Sequence, residues 1–256
     1  MRAEDYSYLY TLEESFWWFD GMRAVTAALL DPVCPSGKRR TILDAGCGTG
    51  GNLVWLKRYA GDGEVFGIDL ISDALSFCRA RAHKHLAQAS VTDLPFESAM
   101  FDLLTSFDVL VQLPGEGADE RALNEMWRVL KPGGIAFVRV AAYEWMRSGH
   151  DEALGTQRRY SLNLLVERMK RAGFGILRAT YANTLLLPVA ALRRLVLKPL
   201  GLADRHSDVK PLSPRLQWLN RMLAGALHTE AHLLKRPALR LGAGLSAICI
   251  AEKPRG

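Results

Sequence analysis

The 256-residue sequence has few cysteines and no long apolar run, and each shortage excludes a class of protein. Its four cysteines, at positions 34, 47, 78 and 249, form no C-x-x-C pair, which argues against a disulfide framework and against a zinc site. The longest apolar stretch, residues 179–192, falls short of the roughly 20 residues that cross a bilayer. The polar, acidic N-terminus does not resemble a secretory signal. We therefore expect a cytoplasmic protein that binds no metal.

Charge is distributed unevenly along the chain. Residues 157–256 contain 18 Lys and Arg against 5 Asp and Glu, whereas residues 1–156 contain 15 against 22. Such asymmetry is typical of proteins that meet an anionic substrate, an acidic partner or a membrane surface, although a solvated basic face has the same composition. No nucleic-acid-binding motif accompanies the basic half, so nucleic acid is not an expected partner.

Short apolar segments alternate with segments of helical period from residue 41 onward. The first predicted strand is the short apolar segment from Ile42 that ends at Asp44, and the later ones cover residues 64–69, 85–90, 101–107, 135–141, 174–180 and 245–252. The predicted helices between them cover residues 51–60, 72–83, 120–130 and 160–172. This alternation predicts an α/β fold with a mainly parallel sheet, helices on both faces, and a ligand site at the carboxyl ends of the strands.

Residues 185–241 are rich in leucine, basic and interrupted by five prolines, which predicts a helical insertion before the last strand. The insertion has three open interpretations: it packs on its own domain, it forms a homodimer element or a substrate lid, or it makes a peripheral membrane or lipid contact. We expect one domain over residues 1–256. It consists of a helical leader (1–40), a Rossmann-like core (41–184), the insertion (185–241) and a closing strand with its tail (242–256).

A glycine-rich turn follows the first predicted strand, in the sequence ILDAGCGTGG of residues 42–51. The turn satisfies the dinucleotide fingerprint G-x-G-x-x-G, and Asp69 follows where a ribose-binding acid is expected. Asp44, at the mouth of the turn, disfavours a pyrophosphate and favours a cationic cofactor. S-adenosylmethionine carries an ammonium and a sulfonium and no phosphate, so we expect it here. A nicotinamide dinucleotide is the alternative.

Four motifs in the order typical of the family resemble the class I S-adenosylmethionine-dependent methyltransferases, in particular the type 11 group similar to the quinone-biosynthesis methyltransferases. They occupy residues 44–50, 67–69, 90–96, and 101–108 with 130–134. The resemblance implies a Rossmann-like, doubly wound sheet of seven strands in the order 3-2-1-4-5-7-6, with the last strand antiparallel and the insertion between strands six and seven. It also implies S-adenosylmethionine as cofactor and S-adenosylhomocysteine as product.

The resemblance assigns the adenosine half of the cofactor to residues that follow strands two and three. Asp69 would bind both ribose hydroxyls, with Leu70 beside it. Asp93 would accept a hydrogen bond from the adenine amino group, and the Leu94 amide would lie near the ring. Each of these positions is also a common turn or cap position, so a structural role is the alternative.

The methionine half is assigned to the glycine turn, strand four and the leader. The turn supplies Gly46, Gly48 and Gly50. The Gly46 and Phe107 carbonyls would hold the ammonium, and Asp44 would add negative field. In the aromatic leader, Trp17 could shield the sulfonium and Arg23 could meet the carboxylate, although ordinary packing of a leader helix is the alternative.

Methyl transfer is an in-line displacement whose leaving group needs no acid, so positioning and exclusion of water supply much of the rate. Many relatives place Glu-His after strand four, but Val111-Gln112 stand there, which puts a base at that position in doubt. His150 is our candidate base. The candidate substrate-binding residues are Gln112, Tyr143, Trp145, Arg159 and Tyr160.

We expect a small, hydrophobic or aromatic acceptor, with oxygen preferred over carbon or nitrogen as the methylated atom. Two other functions remain open. The first is an NAD(P)-dependent dehydrogenase, which Asp44 disfavours. The second is a regulatory or assembly subunit that binds the cofactor without catalysis, which the missing Glu-His keeps open.

Overall fold

The computed structural model describes residues 3–147, 149, 151, 155–197 and 217–255. Seven strands form one sheet in the order β3-β2-β1-β4-β5-β7-β6. Strand β7 runs antiparallel to both of its neighbours, β5 and β6, and the other neighbouring strands pair in parallel. The strands are β1 Thr41–Ala45, β2 Glu64–Asp69, β3 Leu86–Gln88, β4 Phe101–Phe107, β5 Leu130–Ala141, β6 Gly175–Ala182 and β7 Ser246–Glu252. The predicted strand order and the antiparallel last strand are confirmed.

Helices cover both faces of the sheet. They are α1 Ala3–Ser15, α2 Trp17–Leu30, α3 Gly51–Ala60, α4 Ser72–Ala80, α5 Ala118–Val129, α6 Leu162–Arg171, α7 Leu187–Leu192 and α8 Gln217–Leu234. Short turns of 3-10 helix follow β4 at Leu110–Gln112 and β5 at Glu144–Met146, and a turn of π-helix, Arg193–Leu197, continues α7. None of the helices in the described part of the chain is long and apolar enough to cross a bilayer.

Most predicted boundaries lie within two residues of the observed ones, and two differ by three or more, for local reasons. Helix α4 ends at Ala80, short of the predicted residue 83, because Ala82 adopts a left-handed φ of +61°. Strand β5 begins at Leu130, five residues early, because the turn after α5 stays in the sheet. There the Gly133 amide donates to the Lys253 carbonyl at 2.7 Å.

The sheet is buried on both faces, as near-continuous apolar strands require. On one face Leu104 and Val138 pack toward α5 and α6, and on the other Ile42 and Phe137 pack toward α2, α3 and α8. Within α6 the predicted cap is present: the Leu164 amide donates to the Ser161 hydroxyl at 3.2 Å. The core thus leaves the carboxyl ends of the strands as the place for a site.

Helix α8 of the insertion packs across α2 of the leader. Leu227 of α8 is fully buried, and it lies so close to Gly21 that a β-carbon at position 21 would stand 2.4 Å from its Cδ1 atom. Nearby, the His228 Nε2 atom lies 2.7 Å from an Asp20 carboxylate oxygen. The buried Glu230 carboxylate accepts a hydrogen bond from the Thr184 amide at 2.7 Å. This part of the insertion therefore packs on its own domain.

The close approach of α8 to Gly21 makes a coupled pair of substitutions informative. We expect Leu227→Ala to lower the free energy of unfolding by about 2–5 kcal/mol by leaving a cavity. We expect Gly21→Ala to lower it by about 1–3 kcal/mol by overpacking. Leu227→Ala removes the Cγ and Cδ1 atoms that meet the new methyl group and keeps the Cβ atom, 2.5 Å from it, so it relieves part of the clash. The double variant should therefore lose less than the sum of the two.

Urea unfolding of the three variants checks this expectation. Gly225→Ala in the same helix is the matched control, because a β-carbon there meets nothing within 4 Å. It should be neutral or stabilising by up to about 1 kcal/mol. Strictly additive losses for Gly21 and Leu227 would contradict the packing described.

Candidate functional site

The carboxyl ends of β1, β2 and β4 meet where the strand order reverses, which is where open α/β sheets bind ligands. The turn after β1 approaches its surroundings so closely that a β-carbon on Gly46 would lie 2.2 Å from the Val109 Cγ2 atom. Gly48 has a φ of +54° and no atom within 4 Å of the place where its β-carbon would stand. The turn is therefore packed on one side and open on the other, where a ligand can approach the backbone.

Asp44 lies beneath this turn and is fully buried. Its Oδ1 atom accepts a hydrogen bond from the Thr105 hydroxyl at 2.7 Å, whereas Oδ2 is buried without a hydrogen-bond partner. Burial raises the pKa of the Asp44 carboxyl from 3.8 to about 7, with Glu13 and Asp69 adding to the rise and Thr105 opposing it. An unpaired buried oxygen is costly, so the site suits a ligand that brings a cation or a donor.

Asp69 ends β2 and is tied to the glycine turn. Its Oδ2 atom accepts from the Gly48 amide at 2.9 Å, and its Oδ1 atom accepts from the Ile71 amide at 3.0 Å. Burial raises its pKa. Each carboxylate oxygen has two lone-pair directions, so Asp69 retains capacity for a diol. The neighbouring Leu70 is 61% exposed and lies beside this carboxylate in the chain.

The leader contributes a buried carboxylate that the sequence analysis missed. The Glu13 Oε2 atom accepts from the Thr49 hydroxyl at 2.6 Å and from the Gly51 amide at 3.0 Å, at the N-terminus of α3. Arg81, directly after α4, approaches the same oxygen at 3.3 Å. Burial raises the pKa of Glu13 despite these partners. The one signal that could have identified Glu13 is the need of α3 for an N-terminal acceptor.

Arg23 and Trp17 are half-buried in the leader beside the turn. The Arg23 Nε atom lies 3.5 Å from the Asn52 Oδ1 atom, and burial lowers its pKa. The charge of Glu13 acts on Arg23 and opposes this lowering of its pKa. Trp17 packs against Phe16, with 5.5 Å between ring centroids.

The motif after β3 is arranged differently from the expectation. Asp93 is exposed, and its amide donates to the Ser90 carbonyl at 3.1 Å. The Leu94 amide donates to the Glu125 carboxylate at 2.8 Å, and Glu125 is in turn paired with Arg128. The Leu94 amide is therefore already engaged within the protein, and its cofactor role stays a prediction.

Strand β4 ends in an ion pair that faces the leader. Asp108, directly after Phe107, has a left-handed φ of +60°, and its Oδ2 atom accepts from the Arg139 Nε and Nη2 atoms at 3.0 and 2.7 Å. The Arg139 guanidinium lies 4.9 Å from the ring centroids of both Trp18 and Phe107. Arg139 thus holds the end of β4 against α2 and partly offsets the charge of Asp44.

An aromatic stack follows β5. The ring centroid of Tyr143 lies 5.5 Å from that of Trp145 and 5.1 Å from that of Tyr181. Burial raises the pKa of Tyr143 to about 12, so its phenol is neutral at physiological pH. Trp145 is 52% exposed, and Gln112 is exposed at the end of β4. The stack offers an apolar surface at the edge of the site.

Two other predicted substrate residues point into the protein. Arg159 is buried, donates to the Asp151 carboxylate at 2.7 Å and donates to the Ala142 carbonyl at 2.9 Å. Tyr160 is fully buried, and its hydroxyl donates to the Asp119 carboxylate at 3.0 Å. These contacts orient the loop after β5, and a substrate role for either residue stays a prediction.

His150, our candidate base, lies outside the described residues. Across the residues that the structure describes, His, Cys, Asp and Glu side chains form no group of three that could hold a metal ion.

Comparison with known proteins agrees with this geometry. Residues 43–138 match the profile of a family described as a methyltransferase domain. Over 112 residues the chain is 38% identical to malonyl-[acyl-carrier protein] O-methyltransferase of Enterobacter lignolyticus. The aligned residues make up 42% of each chain. Over 140 residues it is 34% identical to fatty-acid O-methyltransferase of Mycolicibacterium smegmatis, and these residues make up 52% of this chain and 49% of the relative.

The chain therefore matches about half the length of these curated relatives or less. Among solved structures, it resembles a putative methyltransferase of Haloferax volcanii in complex with the activator Trm112. The TM-score is 0.60, with 20% identity over 96% of this chain and 92% of the other. At that identity the likeness shows the fold.

The raised pKa of Asp44 predicts that the free energy of unfolding depends on pH. Between pH 4 and pH 7 the folded chain holds a proton on Asp44 that the unfolded chain has released, so the free energy of unfolding falls as pH rises. The shift from 3.8 to about 7 corresponds to about 4 kcal/mol. We expect the stability of Asp44→Asn relative to the original protein to increase over this window. Above pH 7 the difference in free energy of unfolding should reach about 4 kcal/mol.

Urea unfolding of both proteins without ligand, at several pH values, measures the difference. Asp62→Asn, at an exposed position, is the control and should show no such trend. A difference between Asp44→Asn and the original protein that stays constant with pH would refute the raised pKa.

Proposed function

Because the chain carries a class I S-adenosylmethionine-dependent methyltransferase domain, we propose that it transfers the methyl group of S-adenosylmethionine to a small, hydrophobic or aromatic acceptor. The observation that carries the proposal is the buried Asp44 Oδ2 atom without a partner, next to the open backbone at Gly48. Bound there, the cofactor supplies an electrophilic methyl group on a sulfonium that leaves as a neutral thioether.

The charges around the turn favour this cofactor over a dinucleotide. Burial raises the pKa values of Asp44, Asp69 and Glu13. An ammonium and a sulfonium would stabilise the ionised carboxylates. A pyrophosphate would instead add negative charge to the same region, at a cost in free energy.

We propose that the cofactor contacts are made by residues of the leader and by residues at the ends of β1, β2, β3 and β4 or in the turns that follow them. Asp69 accepts from the ribose hydroxyls, Asp44 and the carbonyls of Gly46 and Phe107 face the ammonium, and Arg23 pairs with the carboxylate. Gly48 and Gly50 let the backbone approach, and Leu70, Asp93 and Leu94 complete the adenosine side. Trp17 covers the sulfonium from the leader and excludes water.

The acceptor is proposed to enter over the ends of β4 and β5. The stack of Tyr143 and Trp145 supports a hydrophobic or aromatic acceptor, since it offers ring faces beside the site. Oxygen is the preferred methylated atom, which the names of the two O-methyltransferase relatives support. His150 is proposed as the base for an acceptor that must lose a proton, and Gln112, Arg159 and Tyr160 as further contributors to the acceptor site.

Cofactor binding tests the proposal without any acceptor. We expect isothermal titration to show binding of S-adenosylmethionine and S-adenosylhomocysteine. Asp69→Ala should weaken that binding by at least about 1.5 kcal/mol, or roughly tenfold, because two charge-assisted hydrogen bonds are lost. Asp62→Ala, at an exposed position before the opposite end of β2, should bind as the original protein does.

A nicotinamide dinucleotide in the same titration should show no binding, and preferential binding of it would overturn the proposal. Unchanged affinity after Asp69→Ala would remove this carboxylate from the site. Formation of S-adenosylhomocysteine in the presence of fatty acids, phenols or amines separates an enzyme from a regulatory subunit. A subunit that binds the cofactor without catalysis would show binding and no turnover with every acceptor.

Affinity for S-adenosylmethionine should also depend on pH through Asp44. The ionised carboxylate attracts a cation, so the affinity should rise as pH increases through about 7, the pKa of Asp44. Asp44→Asn should weaken binding and flatten this rise. A pH profile that is the same in both proteins would show that Asp44 does not face the cationic part of the cofactor.

A further inference from the structure

The first part of the insertion exposes an apolar surface, and we propose that it docks this protein on an anionic lipid bilayer. We define the apolar face as Leu185, Pro188, Val189, Leu192 and Leu195. These are all of the exposed residues between positions 185 and 195, and each is apolar. Leu185, Val189, Leu192 and Leu195 are 50%, 63%, 54% and 54% exposed.

In a helix that packs on the core of a soluble protein, the exposed residues are mostly polar, whereas here they are apolar. The apolar face recurs at spacings of three and four, which places its members on one side of α7 and the π-turn. Arg193 and Arg194 in the same segment are only half-exposed, and the Arg194 Nη1 atom donates to the Met146 carbonyl at 2.7 Å. An apolar surface of this kind marks a contact with a partner or a membrane.

The bond from Arg194 to Met146 places the segment against the turn Glu144–Met146 at the end of β5. Trp145 in that turn is 52% exposed. Tryptophan is favoured where a surface meets the boundary between water and lipid, because its ring is apolar and its N–H is polar. The apolar face therefore adjoins an interfacial side chain on the acceptor side of the sheet.

Charge selects an anionic bilayer as the occupant. In the described part of the insertion, the exposed Lys, Arg, Asp and Glu residues are all basic: Arg221, Lys235, Arg236 and Arg240. The acidic residue of this part, Glu230, is buried and accepts backbone hydrogen bonds. Basic side chains beside an apolar surface attract anionic headgroups while the apolar residues enter the boundary region.

A second copy of the chain fits the same surface less well. A two-fold symmetric contact places a patch against itself, so it would bring the basic residues of the two insertions toward each other. A bilayer of anionic lipid offers complementary charge and apolar depth together. This docking requires no methyl transfer and is measured without cofactor, so its failure and a failure of the proposed function are distinguishable.

Co-sedimentation with vesicles tests the proposal. We expect the protein to bind vesicles of phosphatidylcholine mixed with phosphatidylglycerol, to bind phosphatidylcholine vesicles at least about tenfold more weakly, and to be released by salt. The variant Val189→Glu/Leu192→Glu/Leu195→Glu should lose at least about tenfold in binding to the mixed vesicles. Val54→Glu on α3, which is 48% exposed away from the insertion, is the matched control and should bind normally.

Circular dichroism and titration with S-adenosylmethionine establish that the triple variant is folded, and Val189→Ala/Leu192→Ala/Leu195→Ala gives a milder form of the same change. Lys235→Glu/Arg236→Glu should reduce the preference for anionic vesicles. The proposal is overturned by an absence of vesicle binding, by equal binding of a folded triple variant, or by equal binding to neutral vesicles. It is also overturned by a dimer that sedimentation velocity finds in the original protein and not in the triple variant.

Discussion

The site depends on a carboxylate that the fold buries and leaves half satisfied. Asp44 is placed by β1, and Thr105 of β4 supplies one hydrogen bond to it. Arg139 of β5 lowers its pKa through charge, while Glu13 and Asp69 raise it. These groups come from three strands and the leader, so distant parts of the chain together determine the charge environment of this carboxylate. A ligand that brings a positive charge would stabilise the ionised carboxylate and so offset part of the free energy that its burial costs.

The leader and the insertion are parts of this arrangement through their packing. Glu13 of α1 joins the leader to the glycine turn, and α2 carries Arg23 and Trp18 to the ends of the strands. Helix α8 then packs on the other side of α2 through Leu227. A substitution at Leu227 of the insertion therefore alters the packing of α2 directly, and the leader in turn contacts the glycine turn through Glu13.

The sequence predicted the features that depend on interactions between residues close together in the chain. The alternation of strands and helices, the cap at Ser161 and the turn containing Gly46 and Gly48 all depend on residues close together in the chain. Glu13 escaped notice because its partners at Thr49 and Gly51 lie more than thirty residues away. The engagement of the Leu94 amide by Glu125 depends in the same way on how α5 packs, which no motif records.

The acceptor side shows why residue type alone is a poor guide to exposure. Arg159 and Tyr160 have the chemistry of substrate ligands, yet the structure uses it to secure the loop after β5 through Asp151, Ala142 and Asp119. A chain that leaves β5 at a left-handed Tyr143 needs such support, because a non-glycine residue is strained at a φ of +60°. The buried pair thus stabilises the backbone that presents the aromatic stack.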